Sequence, residues 1–274
     1  MGNMLSIEFI EGQSATGKTT FIHRKCEKKS SSPTTYTEIL SDPGDNSLCS
    51  HIFLRGDSSS DPLSILDVSQ GGISLNYFFK MIESLTFSKR PNQRLLVDRS
   101  PLSLYVYEFW WKRLFPMIKD FISKNPHLID QKDYPSVWIK TAMVRSSVVR
   151  ECLSHFSRAT MNIMVDMFQL ACKHDIRMLV HLMFNDADDF QRHSLATDRR
   201  QKRGGIDIFK PQNSDMEKAF FLYTAGECLL WEELYKTYTT HAHLFDANKL
   251  QMKRVPFDAQ GLIAAEEPFL LADV

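Results

Sequence analysis

Short runs of apolar or β-branched residues alternate with longer amphipathic segments along the chain. Four of these runs predict strands, at residues 4–10, 34–38, 94–98 and 176–184, and a shorter run at 243–246 predicts a fifth. Three of them are almost continuously apolar, which is typical of strands buried on both faces. Strands joined by connections too long for hairpins indicate an α/β fold with a five-stranded parallel sheet and helices on both faces.

Helical patterns occupy the segments between these strands. The first such segment contains neither Gly nor Pro, the second carries its apolar residues along one side, and the third opens with Ser100-Pro101. Helices are predicted at residues 18–29, 75–87, 101–121, 141–173 and 214–238.

The chain is predicted to form one domain. Its 274 residues, of which 43% are hydrophobic, can bury a substantial core. Residues 41–70 are rich in Ser, Asp, Gly and Pro and predict a flexible insertion, and residues 255–274 predict a peripheral tail. Because 33 basic residues balance 33 acidic residues, we expect no nucleic-acid and no membrane partner. Five cysteines without C-x-x-C spacing favour reduced thiols and a cytoplasmic, intracellular location.

A phosphate-binding motif follows the first predicted strand. Residues 12–19 read GQSATGKT, which matches G-x-x-x-x-G-K-[ST] between a strand and a helix. Backbone N–H groups of such a loop and the positive end of the helix bind phosphate. Lys18 would reach the β- and γ-phosphates, and the Thr19 hydroxyl is a candidate Mg²⁺ ligand. We expect ATP to be bound by Gly12, Gln13, Ser14, Ala15, Thr16, Gly17, Lys18, Thr19 and Thr20.

A second charged motif ends the third predicted strand. Asp98 and Arg99 lie where ligands gather in an open parallel sheet, at the carboxyl ends of the strands. Asp98 suits the Mg²⁺ shell through water, because Mg²⁺ dehydrates reluctantly. Arg99 would orient the substrate hydroxyl group that accepts a phosphoryl group from the bound nucleotide. Glu38, at the predicted end of the second strand, is the candidate carboxylate that accepts the proton of that hydroxyl.

An arginine-rich segment at residues 190–205 predicts a lid. Phosphoryl transfer places negative charge on the γ-phosphoryl oxygens, so its catalysis depends on positioning and on cations. Guanidinium groups suit phosphate because they donate as a planar fork. The candidate lid side chains are those of Arg199, Arg200 and Arg203.

These motifs together resemble those of the deoxynucleoside kinases, a family that includes viral thymidine kinases and cellular deoxynucleoside kinases. The likeness rests on DRSPLSLYVY at residues 98–107, on Glu38, on the arginine-rich run and on LFDAN at residues 244–248, which resembles the final strand and the adenine-side loop. The resemblance implies a P-loop kinase three-layer sandwich that uses ATP and Mg²⁺. It implies phosphorylation of a deoxynucleoside 5′-hydroxyl, with thymidine as the expected substrate, and by analogy a homodimer.

The resemblance also implies roles for individual residues. Glu38 would act as general base, and Ile39 follows it where the family has Pro. The base would be read by Asn76 or Gln70. The implied catalytic residues are Glu38, Lys18, Arg99, Arg199 and Arg203, with Arg200 on ATP. The implied substrate contacts are Glu38, Asn76, Tyr77, Arg99 and Asp207, and the implied metal ligands are Thr19 and Asp98.

Two other functions fit the same motifs. A thymidylate-type nucleoside monophosphate kinase also has a phosphate loop and an Asp-Arg strand end, but it favours arginine where Glu38 stands. A non-catalytic nucleotide-binding protein could use the same fold, and the intact Lys18, Thr19 and Asp98 argue against that reading.

Overall fold

The structure is a computed structural model that describes part of the chain. It describes residues 5–13, 16–18, 20–22, 35–40, 93–114, 116–117, 120, 124, 146–184 and 214–256. For residues 35–40, 93–94, 98, 104, 111 and 214–225 it describes the backbone alone. The predicted insertion at 41–70 and the predicted lid at 190–205 lie outside these residues.

A parallel sheet forms the centre of the fold. Its strands are β1 (Leu5–Gly12), β2 (Thr35–Leu40), β3 (Gln93–Asp98), β4 (Ile176–Met183) and β5 (Leu250–Arg254). They are ordered β2-β3-β1-β4-β5, and each neighbouring pair is parallel. The predicted α/β fold with a parallel sheet and helices is therefore confirmed.

Long helices follow the strands. The helices whose bounds are described are α1 (Pro101–Phe109), α2 (Ser147–His174) and α3 (Ser214–His241), with a π-helical turn at Trp110–Leu114 and a 3-10 turn at Ala242–Leu244. Further helical residues include Lys18 and residues 20–22. Ser100 is the N-cap of α1, where its Oγ accepts the N–H of Leu102 at 3.1 Å. Pro101 follows at the first helical position, which tolerates the missing N–H. None of the described helices has the length and apolar character needed to cross a membrane.

Apolar side chains pack on both faces of the sheet. On one face Ile7, Phe9 and Val180 belong to the larger cluster, which also contains apolar residues of α1, α2 and α3. On the other face Ile10 and Met183 pack with Phe21 and with other residues of a smaller cluster. Because side chains alternate along a strand, neighbouring residues of β1 serve opposite faces. The two clusters therefore hold β1, the strand that leads into the predicted phosphate loop, from both faces of the sheet.

Three details differ from the sequence prediction. The last strand is Leu250–Arg254, whereas residues 242–244 form the 3-10 turn, so the strand predicted at 243–246 is wrong. β2 continues to Leu40, so Glu38 lies two residues before the strand end. Val255, assigned to a peripheral tail, is 2% exposed, and its N–H donates to the carbonyl of Leu182 at 2.8 Å.

Candidate functional site

The predicted phosphate loop begins at the central strand of the sheet. β1 lies between β3 and β4, and the chain leads from β1 to β2 at one edge and from β4 to β5 at the other. The chain thus leaves the adjacent strands β1 and β4 in opposite directions, an arrangement that in open parallel sheets leaves a crevice at the carboxyl ends of the strands. Ligands of open parallel sheets bind in such a crevice. The topology therefore places the described loop residues, 12–13 and 16–18, where a ligand site is expected.

Gly12 brings the loop against the end of β4. Its φ is +128°, and a Cβ atom there would lie 1.9 Å from the carbonyl oxygen of Met183. The next residue, Gln13, donates its N–H to that same oxygen at 2.8 Å. Gly17 also has a positive φ, +82°, but a Cβ atom there would meet nothing within 4 Å. The close contact with the β4 backbone requires glycine at position 12. At position 17 only the backbone conformation favours glycine.

Lys18 is held at the carboxyl end of β1. Its Nζ donates to the carbonyl oxygens of Gly12, at 3.0 Å, and Gln13, at 2.6 Å. The residue is only 9% exposed. Thr16 adds a hydrogen bond from its Oγ1 to the Gln13 carbonyl at 2.8 Å. Anionic phosphate oxygens are stronger acceptors for an ammonium group than neutral carbonyls are, so a bound triphosphate would compete for Lys18.

Helical structure begins at Lys18, within the last residues of the motif. Lys18, Thr20, Phe21 and Ile22 are helical, and the N–H of Phe21 donates to the carbonyl of Gly17 at 2.9 Å. Phe21 and Ile22 are buried, and Thr20 is exposed. The predicted sequence of strand, loop and helix is thus present in the described residues.

Arg99 lies beside this loop in an uncommon backbone conformation. Its φ is +78°, which L-residues rarely adopt, and its N–H donates to the carbonyl of Ile10 at 3.1 Å. Its guanidinium carbon lies 5.3 Å from the ring centroid of Tyr107, within range of a cation–π interaction. The Tyr107 hydroxyl in turn donates to Oε1 of the buried Glu227 at 3.0 Å. Strained residues of this kind cluster at functional sites.

Glu11 joins the two motifs, and the sequence analysis did not single it out. Its carboxyl group accepts the backbone N–H of Ser100 at Oε1 and the hydroxyl of Ser103 at Oε2. Complete burial raises the pKa of Glu11 from 4.5 to about 7, although the hydrogen bonds from Ser100 and Ser103 and the charge of Arg99 oppose that rise. A carboxylate inside a largely apolar strand was the available sequence signal, and Glu8 of the same strand gives the same signal.

A second buried carboxylate lies on the other face of β1. Oε2 of Glu8 is 3.0 Å from Nε2 of His181 on β4, and both residues are 1% exposed. The His181 ring packs near Phe21, with 6.0 Å between the ring centroids. This pair lies beneath the start of the helix that follows the phosphate loop.

The remaining predicted site residues are described in part or not at all. The Cα atom of Asp98 pairs with that of Ile10 on one side and with that of Leu40 on the other. Glu38 pairs with Leu96 inside the sheet. The side chains of Asp98 and Glu38 lie outside the described residues. The same is true of the whole residues Ser14, Ala15, Thr19, Gln70, Asn76, Tyr77, Arg199, Arg200, Arg203 and Asp207.

No protein-family model matches the chain, and a search of curated proteins finds no significant match.

Proposed function

We propose that this chain is an ATP-dependent deoxynucleoside kinase that phosphorylates the 5′-hydroxyl of thymidine, in a cytoplasmic P-loop kinase sandwich with an arginine lid. One observation carries the proposal: Lys18 and Arg99, from motifs far apart in the sequence, are both held by hydrogen bonds at the carboxyl end of β1. Phosphoryl transfer needs cationic groups on either side of the moving phosphoryl group. Lys18 supplies one on the triphosphate side, and Arg99 supplies one on the acceptor side.

The roles of the binding residues follow from their chemistry. Lys18 donates to the β- and γ-phosphate oxygens, and the backbone N–H groups of residues 12–18 surround the same anion. The Thr19 hydroxyl and the Asp98 carboxylate are oxygen ligands of the kind that Mg²⁺ prefers, and they would hold it. Mg²⁺ supplies charge neutralisation between the phosphates when bound. Arg199, Arg200 and Arg203 would close over the triphosphate and exclude water.

The acceptor side depends on Glu38 and Arg99. Glu38 would accept the proton of the 5′-hydroxyl as the phosphoryl group moves, since a neutral hydroxyl is a poor nucleophile. Arg99 would orient that hydroxyl. Asn76, Tyr77 and Asp207 would contact the nucleoside.

A second candidate is a thymidylate-type nucleoside monophosphate kinase, and one observation favours it. β2 runs to Leu40, so the Cα atom of Glu38 lies two residues below the carboxyl edge of the sheet, or about 7 Å. A monophosphate acceptor already carries an anionic oxygen and needs no carboxylate base. The position of Glu38 below the edge of the sheet would therefore not impair catalysis by that enzyme.

A substrate panel separates the candidates. Purified protein with ATP and Mg²⁺ would be offered deoxynucleosides, ribonucleosides and their monophosphates, and the phosphorylated products would be identified by mass. Thymidine converted to its 5′-monophosphate supports the proposal. Products formed from monophosphates alone support the second candidate, and ATP binding without any transfer indicates a non-catalytic protein. The Lys18→Ala variant serves as the control for contaminating kinases.

A further inference from the structure

Glu11 holds a position that a carboxylate rarely occupies. It lies on β1 between Ile10 and Gly12, and it is 0% exposed. Ile7 and Phe9, which precede it on the same face of the strand, belong to the larger apolar cluster. A carboxylate kept in such surroundings needs compensating hydrogen bonds.

The compensation comes from the first turn of α1. Both carboxylate oxygens are used, one by the Ser100 N–H and the other by the Ser103 hydroxyl. The positive end of a helix also favours a carboxylate at this place. Glu11 is therefore bound to the β3–α1 connection at two points.

These contacts hold the backbone of Arg99 on both sides of its Cα atom. Its own N–H is bound to the carbonyl of Ile10 at 3.1 Å, and the next N–H, that of Ser100, is bound to Glu11. Two successive residues of β1 thus hold the two peptide groups on either side of the Arg99 Cα. That arrangement fixes both backbone angles of a residue whose φ of +78° is otherwise disfavoured.

The same stretch of β1 also reaches the phosphate loop. The carbonyl of Gly12, the residue after Glu11, accepts a hydrogen bond from Lys18 Nζ at 3.0 Å. Residues 10–12 therefore connect the arginine of one motif to the lysine of the other through adjacent peptide groups.

We propose that Glu11 is a positioning residue that holds the backbone of Arg99 in register with the phosphate loop, so that the guanidinium and the Lys18 ammonium face the same phosphoryl group. The inference rests on the proposed kinase function. Glu11 does not contact the substrates, and it acts through Arg99.

Two substitutions at Glu11 and one control test this role. Glu11→Leu removes both hydrogen bonds, whereas Glu11→Gln can still accept from Ser100 and donate to Ser103. We expect Glu11→Leu to lower kcat about 10-fold to 100-fold with little change in KM, because small misplacements of a positioning group have effects of this size. Glu11→Gln should restore most of that loss. Glu8→Leu, the same change at a buried carboxylate on the opposite face of β1, should leave kcat near the wild-type value.

A double-variant cycle separates positioning from general damage. In an Arg99→Ala background, Glu11→Leu should lower kcat no further, because the group through which it acts is already gone. An equal loss in both backgrounds would overturn the role. Ser103→Ala, which removes one of the two hydrogen bonds without changing β1, provides a milder variant if Glu11→Leu does not fold. It should lower kcat in the same direction, and an unchanged kcat would contradict the proposal.

Amide hydrogen exchange tests the same contact without turnover. The Ser100 amide should exchange faster in Glu11→Leu, or in Ser103→Ala, than in the wild type, and Glu8→Leu should leave it unchanged. Unaltered exchange at Ser100 in all of these variants would overturn the proposed role of Glu11 and would leave the proposed kinase function standing. A wild-type protein that phosphorylates no nucleoside would instead overturn the proposed kinase function alone.

Discussion

Gly226 of α3 and Trp110 of the π-helical turn are packed so closely that a Cβ atom on Gly226 would lie 1.8 Å from Cζ3 of the indole ring. Trp110 is completely buried. The absence of a side chain at Gly226 therefore makes the space that the indole occupies.

The first prediction concerns this contact. In a helix, Gly→Ala ordinarily stabilises by about 0.5–1 kcal/mol. We expect Gly226→Ala instead to destabilise by about 1–3 kcal/mol, because the added methyl overpacks the site. Chemical denaturation measures the sign. In a Trp110→Leu background the cost should shrink or reverse, and equal costs in both backgrounds would contradict the steric explanation.

The two loop glycines form a second, matched test. Gly17→Ala incurs only the backbone cost of a positive φ, about 1–2 kcal/mol. Gly12→Ala adds a clash with the Met183 backbone, which cannot rotate away as a side chain could, and we expect about 4 kcal/mol or more. Urea unfolding of both variants gives the comparison. Equal losses would mean that the close approach of Gly12 to β4 is relaxed in solution.

The third prediction is a dependence of stability on pH. The pKa of Glu11 is about 7 in the folded protein against an ordinary 4.5, so the folded state retains its proton while the unfolded state loses it. The stability that Glu11 contributes is therefore fully present below pH 4.5 and is lost as the pH rises through about 7. Over this range the free energy of unfolding should fall by about 3 kcal/mol.

Glu11→Gln removes this titration and keeps the shape of the side chain. The free energy of unfolding of Glu11→Gln minus that of the wild type should rise by about 3 kcal/mol between about pH 4 and about pH 8. The same change at the exposed Glu151 serves as a control for the altered charge. A difference that stays constant with pH would show that Glu11 titrates normally.

Lys18→Ala is the fourth prediction. Loss of the ammonium removes charge stabilisation worth about 3 kcal/mol in the transition state, or about a hundred-fold in rate. Single-turnover transfer from ATP measures it, with circular dichroism to show that the variant is folded. Lys236→Ala, whose side chain is 73% exposed on α3, is the control and should transfer normally. Near-normal transfer by folded Lys18→Ala would refute the phosphate-loop assignment.

The fifth prediction distinguishes the two proposed enzymes through Glu38. In a nucleoside kinase Glu38→Gln should lower the rate about 100-fold or more while nucleoside binding is largely kept, because only the proton acceptor is lost. In a monophosphate kinase the same change should leave the rate unchanged or raise it, since a carboxylate near the acceptor phosphate repels it. Initial rates with thymidine and with its monophosphate, for both proteins, give the answer.

Features with local causes could be predicted from the sequence. The start of α1 follows from Ser100 and Pro101, whose capping and fixed φ need no distant partner. Gly17 has a local cause because its positive φ is a need of the loop itself, whereas the requirement for Gly12 also comes from the distant backbone of β4. The run at 176–183 is predicted as a strand because it is short and almost continuously apolar, as strands buried on both faces are.

The last strand was mispredicted because tertiary packing outweighs the local pattern there. Phe245 is buried by rings from two helices: it stacks on Tyr238 at 6.0 Å and meets Phe168 edge-on at 5.5 Å. Its apolar neighbour Leu244 is 53% exposed, which does not suit a strand of the sheet. In β5 only Leu250 and Met252 are buried, so the alternating signal of that strand is short and weak.

The contacts of Glu11 could not be predicted from the sequence for a different reason. An acidic residue in an apolar strand indicates a buried carboxylate, but its partners Ser100 and Ser103 follow it by about ninety residues and are brought to it by the pairing of β1 with β3. The sequence shows which residues carry polar groups, but only the pairing of the strands shows which of those groups come into contact.

The placement of β1 has a consequence for synthesis on the ribosome. β1 precedes the other described strands in the chain, yet its hydrogen-bonding partners are residues 93–98 and 176–183. A nascent chain therefore exposes an apolar strand with two open edges until residue 98 has emerged and with one open edge until residue 183 has emerged. Such strands are prone to aggregate. The loop that Gln13 anchors to Met183 can form only after that point. Fragments that end before β4 are thus expected to stay bound to chaperones and to lack nucleotide affinity, however complete their phosphate-loop motif.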